Sequence, residues 1–263
     1  MKIEMMFNEM SLGLLYIITV VIVLLSVICG LRFASYIQRR EKSKKEAPVG
    51  SIVAAILGLL AFILAFTFGM ASSRYDTRKQ LLLDEVNAIG TAFLRTDFLP
   101  ETQRRESRKL FKEYVDSRVR AVLQPETLPQ ALVDSETIHD RLWSQITALA
   151  KQSSDSVVLG LYIQSLNEVI DLHAKRVTIG LKYHIPGVIW LTLYFVTILA
   201  MAAVGYQFGL AGTSSWLSIL LLALSFSAVI LLIADLDRVS AGLVKVSQKP
   251  MIEFQQKLST LAY

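Results

Sequence analysis

Cysteine is nearly missing from this chain: Cys29 is the only one in 263 residues, which excludes an internal disulfide and a cysteine-based metal cluster. Histidine is almost as scarce. His139, His173 and His184 stand in separate segments, none with a second ligand three or four residues on, so no zinc-type site is expected. Also absent are G-x-S-x-G, the phosphate loop and the dinucleotide fingerprint, so neither an enzyme nor a cofactor is expected. Asp84 and Glu85 are adjacent and therefore about 100° apart around a helix, which suits a solvated surface better than a carboxylate dyad. No run alternates apolar and polar residues between turn signals, and no repeat of solenoid period occurs, which leaves an all-α fold.

Charge is missing from three long stretches, residues 10–31, 47–73 and 185–234, although 19% of the chain is charged. About 20 apolar residues cross the roughly 30 Å hydrocarbon layer of a bilayer. The pattern therefore predicts four transmembrane helices, at 11–31, 49–73, 185–205 and 216–234. The last two form a hairpin through the Gly- and hydroxyl-rich loop 206–215. A short lead, 1–10, precedes the first span; it has no basic run, and no A-x-A site follows the apolar stretch, so a cleaved signal is not expected.

The net charge of +5 does not point to nucleic acid. Its basic excess lies in loop 32–48, where Arg32, Arg39, Arg40, Lys42, Lys44 and Lys45 would meet anionic headgroups. By the positive-inside rule this short loop is cytoplasmic, which puts the domain between the second and third spans on the other side.

That domain, 74–184, reads as helices. Tyr75, Leu82, Val86, Ile89 and Phe93 continue a helical stripe out of the second span, with no proline until Pro100, so span and first soluble helix should form one rod. A second helix follows over 101–123. Residues 124–129 break it, Asp134 or Ser135 is placed to cap a third helix, and Ser153-Ser-Asp155 to cap a fourth. A tail, 235–263, follows the last span.

The second span is unusually patterned. Ala54, Gly58, Ala61, Ala65, Gly69 and Ser72 make a stripe of small residues suited to close helix packing. Beside it Leu59, Phe62, Phe66, Gly69 and Ser73 follow a seven-residue spacing. In a symmetric ring they would stack as hydrophobic collars, a constriction of the dewetting kind. Packing against the other spans is the competing reading. No Asp, Glu, Lys, Arg or His lies within the spans, which disfavours proton-coupled transport.

Three blocks follow the second span in series: Ser72-Ser-Arg-Tyr75-Asp76-Thr-Arg78, Glu85-Val-Asn87-Ala-Ile-Gly-Thr91-Ala and Leu94-Arg95-Thr-Asp97-Phe-Leu-Pro100. A fourth runs from Leu236-Asp237 through Gly242 and Val246-Ser247 to Pro250, with Val239 where a proline is usual. Together they resemble the bestrophin-like family of bacterial integral membrane proteins. Bestrophins are oligomeric anion channels whose second span lines a hydrophobic neck. The resemblance thus implies a homo-oligomer in the plasma membrane, with Phe62, Phe66, Gly69 and Ser73 at the neck, Arg74 and Arg78 at its mouth, and a small inorganic anion as the permeant species. It also implies a cytoplasmic helical domain, opposite to the reading from loop 32–48. A membrane-anchored scaffold or sensor, its helical domain binding a protein partner, is the alternative from another class.

Overall fold

The computed structural model describes residues 10–40, 49–152, 156–212, 215–239 and 242–260. Every regular element among them is helical: α1 (Leu12–Arg40), α2 (Val49–Arg95), α3 (Glu101–Leu123), α4 (Leu128–Gln152), α5 (Val157–Val177), α6 (Gly187–Ala211), α7 (Trp216–Asp237) and α8 (Lys249–Thr260), with short 3-10 turns at Thr96–Phe98 and Pro125–Thr127 and a π turn at Thr178–Lys182. The chain divides into two compact units, Met1–Tyr75 with His184–Val244, and Asp76–Tyr183 with Lys245–Tyr263.

Among the described residues four helices are long and apolar enough to cross a membrane; three of them and the first part of α2 belong to the first unit. Its core gathers Val23, Val27, Leu60, Leu64, Leu193, Met201, Ile230 and Ile233. Between α1 and α6 the backbones nearly touch. A Cβ on Gly30 would fall on the carbonyl oxygen of Ala202, one on Gly205 on that of Val27, and one on Gly209 on the methyl of Ala34. Gly205-x-x-x-Gly209 is thus a small-residue packing motif, which in a bilayer replaces the missing hydrophobic drive by close van der Waals contact. Polar groups inside this unit turn back onto the helices: Thr19, Thr67 and Thr197 donate to Leu15, Ile63 and Leu193 carbonyls one turn earlier. Thr19 and Tyr194 also share a hydroxyl–hydroxyl bond of 2.8 Å.

Several helix limits differ from the sequence reading. α1 runs on to Arg40, and α6 to Ala211, because Gly209 packs and only Gly212, at φ 65°, leaves the helix in the left-handed conformation that caps it. α4 begins at Leu128, before the expected caps. Pro129 lies in its first turn, where a missing N–H costs nothing, and Ser135 is buried mid-helix, donating to Ala131 O. The expected cap at 153–155 lies outside the described residues; Ser156 caps α5 by accepting from the Leu159 N–H at 3.2 Å. Residues 41–48 and 213–214 of the two expected loops are likewise outside them.

The second unit is a helical bundle around Leu82, Ile89, Phe93, Leu110, Phe111, Tyr114, Leu142, Tyr162, Leu166 and Val169, with Met251 and Leu258 of α8 packed in. α2 spans 47 residues without a break, so the rod expected from sequence forms.

Candidate functional site

Along its first half α2 buries Val53, Leu60, Leu64, Thr67 and Ala71, one narrow stripe at alternating seven-, four- and three-residue steps. Ile56, Leu57 and Ile63 flank it, partly buried against the same core, and the opposite side is open. Only 17% of its most apolar stretch is buried, against 28–39% in the other spans. Phe62 and Phe66 are 67% and 59% exposed. Leu59, Ala54, Ala61, Ala65 and Ser73 are exposed as well. A Cβ added to Gly58 or Gly69 would meet nothing within 4 Å. The small stripe and the phenylalanine stripe thus share one unoccupied side of the helix. Arg74, just beyond, is half-buried, whereas Arg78 is buried.

The second half of α2 carries a site that the sequence reading missed. Glu85 is fully buried, so the surface role expected for it does not hold. Its Oε1 accepts the Tyr114 hydroxyl at 2.6 Å, and its Oε2 accepts Nη1 of Arg176. Arg118 Nε stands 3.6 Å from Oε1. Since the single Tyr114 proton goes to Glu85, the 3.0 Å contact between Tyr114 Oη and His173 Nδ1 requires the Nδ1–H tautomer. His139 packs against both rings at 5.0 Å, from Tyr114 in a tilted and from His173 in an edge-on arrangement. Helices α3 and α5 thus bring groups to the carboxylate on α2, and α4 adds His139 against the rings of Tyr114 and His173. Burial, with Arg118 nearby, pushes His139 down to about 4; burial, then Arg118 and His139, pushes His173 down to about 3. Burial raises Tyr114 to about 12 and lowers Arg176 to about 10. Both imidazoles are neutral at pH 7, and the charges in the cluster are one carboxylate and two guanidinium groups. Neither here nor elsewhere among the described residues are three or more His, Cys, Asp or Glu side chains arranged so that they could hold a metal ion.

The motif residues have separate duties. Asp97 accepts from Arg108 at 2.6 Å, and the Arg95 guanidinium donates to Leu161 O at 2.6 Å. Asp76, Asn87 and Thr91 are exposed, and Tyr75 is half-buried against the core of the first unit. At the end of α7 both oxygens of Asp237 accept the Ile185 N–H at 3.1 Å, and Asp235 accepts the Leu243 and Val244 N–H groups at 2.6 and 3.0 Å. Gly242 is needed there, because a Cβ would fall on the Asp235 carboxylate. Ser247 accepts the Lys249 N–H at 3.4 Å, and Pro250 sits in the first turn of α8.

A sequence profile of the Bestrophin-like domain matches residues 17–251. No curated protein matches the chain. Among solved structures, a point variant of a bacterial bestrophin homologue from Klebsiella pneumoniae aligns with a TM-score of 0.65 at 14% identity, over 92% of this chain and 97% of that one. Another structure of a bacterial bestrophin homologue from that organism gives 0.61 at 16% identity, over 92% and 96%. At such identities the likeness is one of fold. The profile covers most of the chain, and with its four apolar spans and all-helical fold the protein belongs to the bestrophin-like family of membrane proteins.

Proposed function

We propose that the chain assembles into a symmetric homo-oligomer enclosing a passive, anion-preferring channel, with the open side of α2 facing the axis. The supporting observation is the pairing of two kinds of residue on that side. Exposed phenylalanines alone would suit lipid, but Ala54, Gly58, Ala61, Ala65 and Gly69 offer lipid little contact and use none of their closeness within the protomer. Small faces of this kind earn their place when another helix packs on them. In the ring, Phe62 and Phe66 form two collars of a neck that gates by drying, Gly69 and Ser73 follow, and Arg74 concentrates anions at the mouth. Arg78, being buried, contributes there only through its field.

Planar-bilayer recording of the purified protein tests this reading. Phe62→Ala with Phe66→Ala should raise conductance, and Arg74→Gln should weaken anion preference. Silence from both the parent and the double variant, each folded and oligomeric, ends the channel reading and leaves a membrane-anchored scaffold. Orientation is a separate proposal: loop 32–48 lies on the cytoplasmic side of a bacterial plasma membrane. In a Cys29→Ala background, Ser43→Cys should be shielded from an impermeant thiol reagent in intact cells while Thr127→Cys reacts. The reverse labelling establishes the opposite orientation.

A further inference from the structure

We propose that the C-terminal flank of α1 binds the phosphate headgroup of anionic phospholipids, read by Arg32, Arg39 and Arg40 around Tyr36. α1 has 29 residues. At 1.5 Å per residue it is about 43 Å long, against roughly 30 Å of hydrocarbon, so its last turns stand in the headgroup layer. There Arg32, Phe33, Tyr36, Arg39 and Arg40 are all exposed. Arg32, Tyr36 and Arg40 recur at four-residue steps and share one face. The Arg40 guanidinium lies 5.6 Å from the centre of the Tyr36 ring.

This end is held in place. Gln38 Nε2 donates to Leu210 O at 3.2 Å, and the Phe33 and Tyr206 rings are 5.8 Å apart, so α1 and the last turns of α6 form one support. Neither helix contains an Asp or Glu anywhere along its length. These two helices themselves supply no counter-charge to the three guanidinium groups, which are of the kind that pairs bidentately with phosphate oxygens. The carbonyl ends of α1 and α6 repel an anion, which places the phosphate on the flank of α1 and not at its tip.

A lipid is favoured over free phosphate because the same face continues downward as Val21 and Leu25, both exposed, against which an acyl chain can lie. Tyr36 and Phe33 then occupy the interfacial level that aromatic side chains prefer. The site is independent of any pore.

Native mass spectrometry of the full chain in neutral detergent tests it, using phosphatidylglycerol and phosphatidylcholine with identical acyl chains. Phosphatidylglycerol adducts should survive activation that strips phosphatidylcholine. Each Arg→Gln change among Arg32, Arg39 and Arg40 should weaken retention about fivefold, the effect of one basic residue at an anionic surface. Soluble glycerol phosphate should leave no adduct. Equal retention of the two lipids by the parent chain overturns the proposal, whether or not any variant folds. Phosphatidylglycerol adducts unchanged in a folded R32Q/R39Q/R40Q variant overturn it too, and adducts with glycerol phosphate replace the lipid by a free anion.

Discussion

Two sets of glycines in the spans have opposite surroundings. Gly30, Gly205 and Gly209 bring α1 and α6 so close that a single methyl would collide with the facing helix, while Gly58 and Gly69 of α2 face open space. The same residue type is thus spent within the protomer in one place and left available in the other. α2 repeats the contrast along its own length: Phe62 and Phe66 are exposed, whereas Glu85, Ile89 and Phe93 further along are buried. A residue's role follows from what stands opposite it, which no property of the residue alone supplies.

Substitution at the two glycine sets gives the largest expected difference. Gly205→Leu should abolish folded protomer, because the new side chain meets the Val27 backbone, which cannot move aside as a side chain can. Gly58→Leu should leave the protomer folded and reduce only self-association. Size-exclusion profiles and native mass spectra separate the outcomes, and equal damage at both positions would erase the distinction.

Next in size is the buried half of α2. Glu85→Ala leaves Arg176 and Arg118 without their carboxylate and should cost about 3–5 kcal/mol in denaturant unfolding of the helical unit. Acid should act on the same cluster. His139 and His173 titrate in the fold at about 4 and about 3, below the ~6.5 of a free imidazole, so between these values the unfolded chain binds protons that the fold refuses. Stability is then fully present above about pH 6.5 and is lost as pH falls toward 3. Melting temperatures measured from pH 8 to pH 4 should show this decline, and His139→Gln with His173→Gln should reduce its slope.

The smallest effect is expected at the exposed phenylalanines. Phe62→Ala and Phe66→Ala should each change protomer stability by no more than about 0.5 kcal/mol, whereas Phe93→Ala, in the core, should cost about 3–5 kcal/mol. A large loss at Phe62 in monomeric protein would mean that this side of α2 is covered within the protomer.

Much of this was legible in sequence because membrane and helix impose one-dimensional rules. Charge-free runs of about 20 residues mark the spans, and the absence of proline between Val49 and Arg95 lets α2 continue past the membrane. The limits of α1, α4 and α6 were less legible. Glycine and proline were read as breakers, yet Gly209 turned out to pack against a neighbour and Pro129 to sit in a first turn. The Glu85 cluster was hidden for another reason: the groups that bond to Glu85 lie 29 (Tyr114) and 91 (Arg176) positions from it, and no local pattern links them. A weak signal existed in His139 and His173, which fall among the apolar positions of α4 and α5.

The sequence by itself determined the class, four apolar spans and a helical unit, because burial in lipid and the helical repeat are properties of a single segment. Only the tertiary structure decided which glycines meet a partner, which side of α2 stays open, and that Glu85, Tyr114, Arg118, His139, His173 and Arg176 form one buried group. Those are relations between segments, set by helix crossings that bring distant positions within a few ångströms, and no local pattern encodes them.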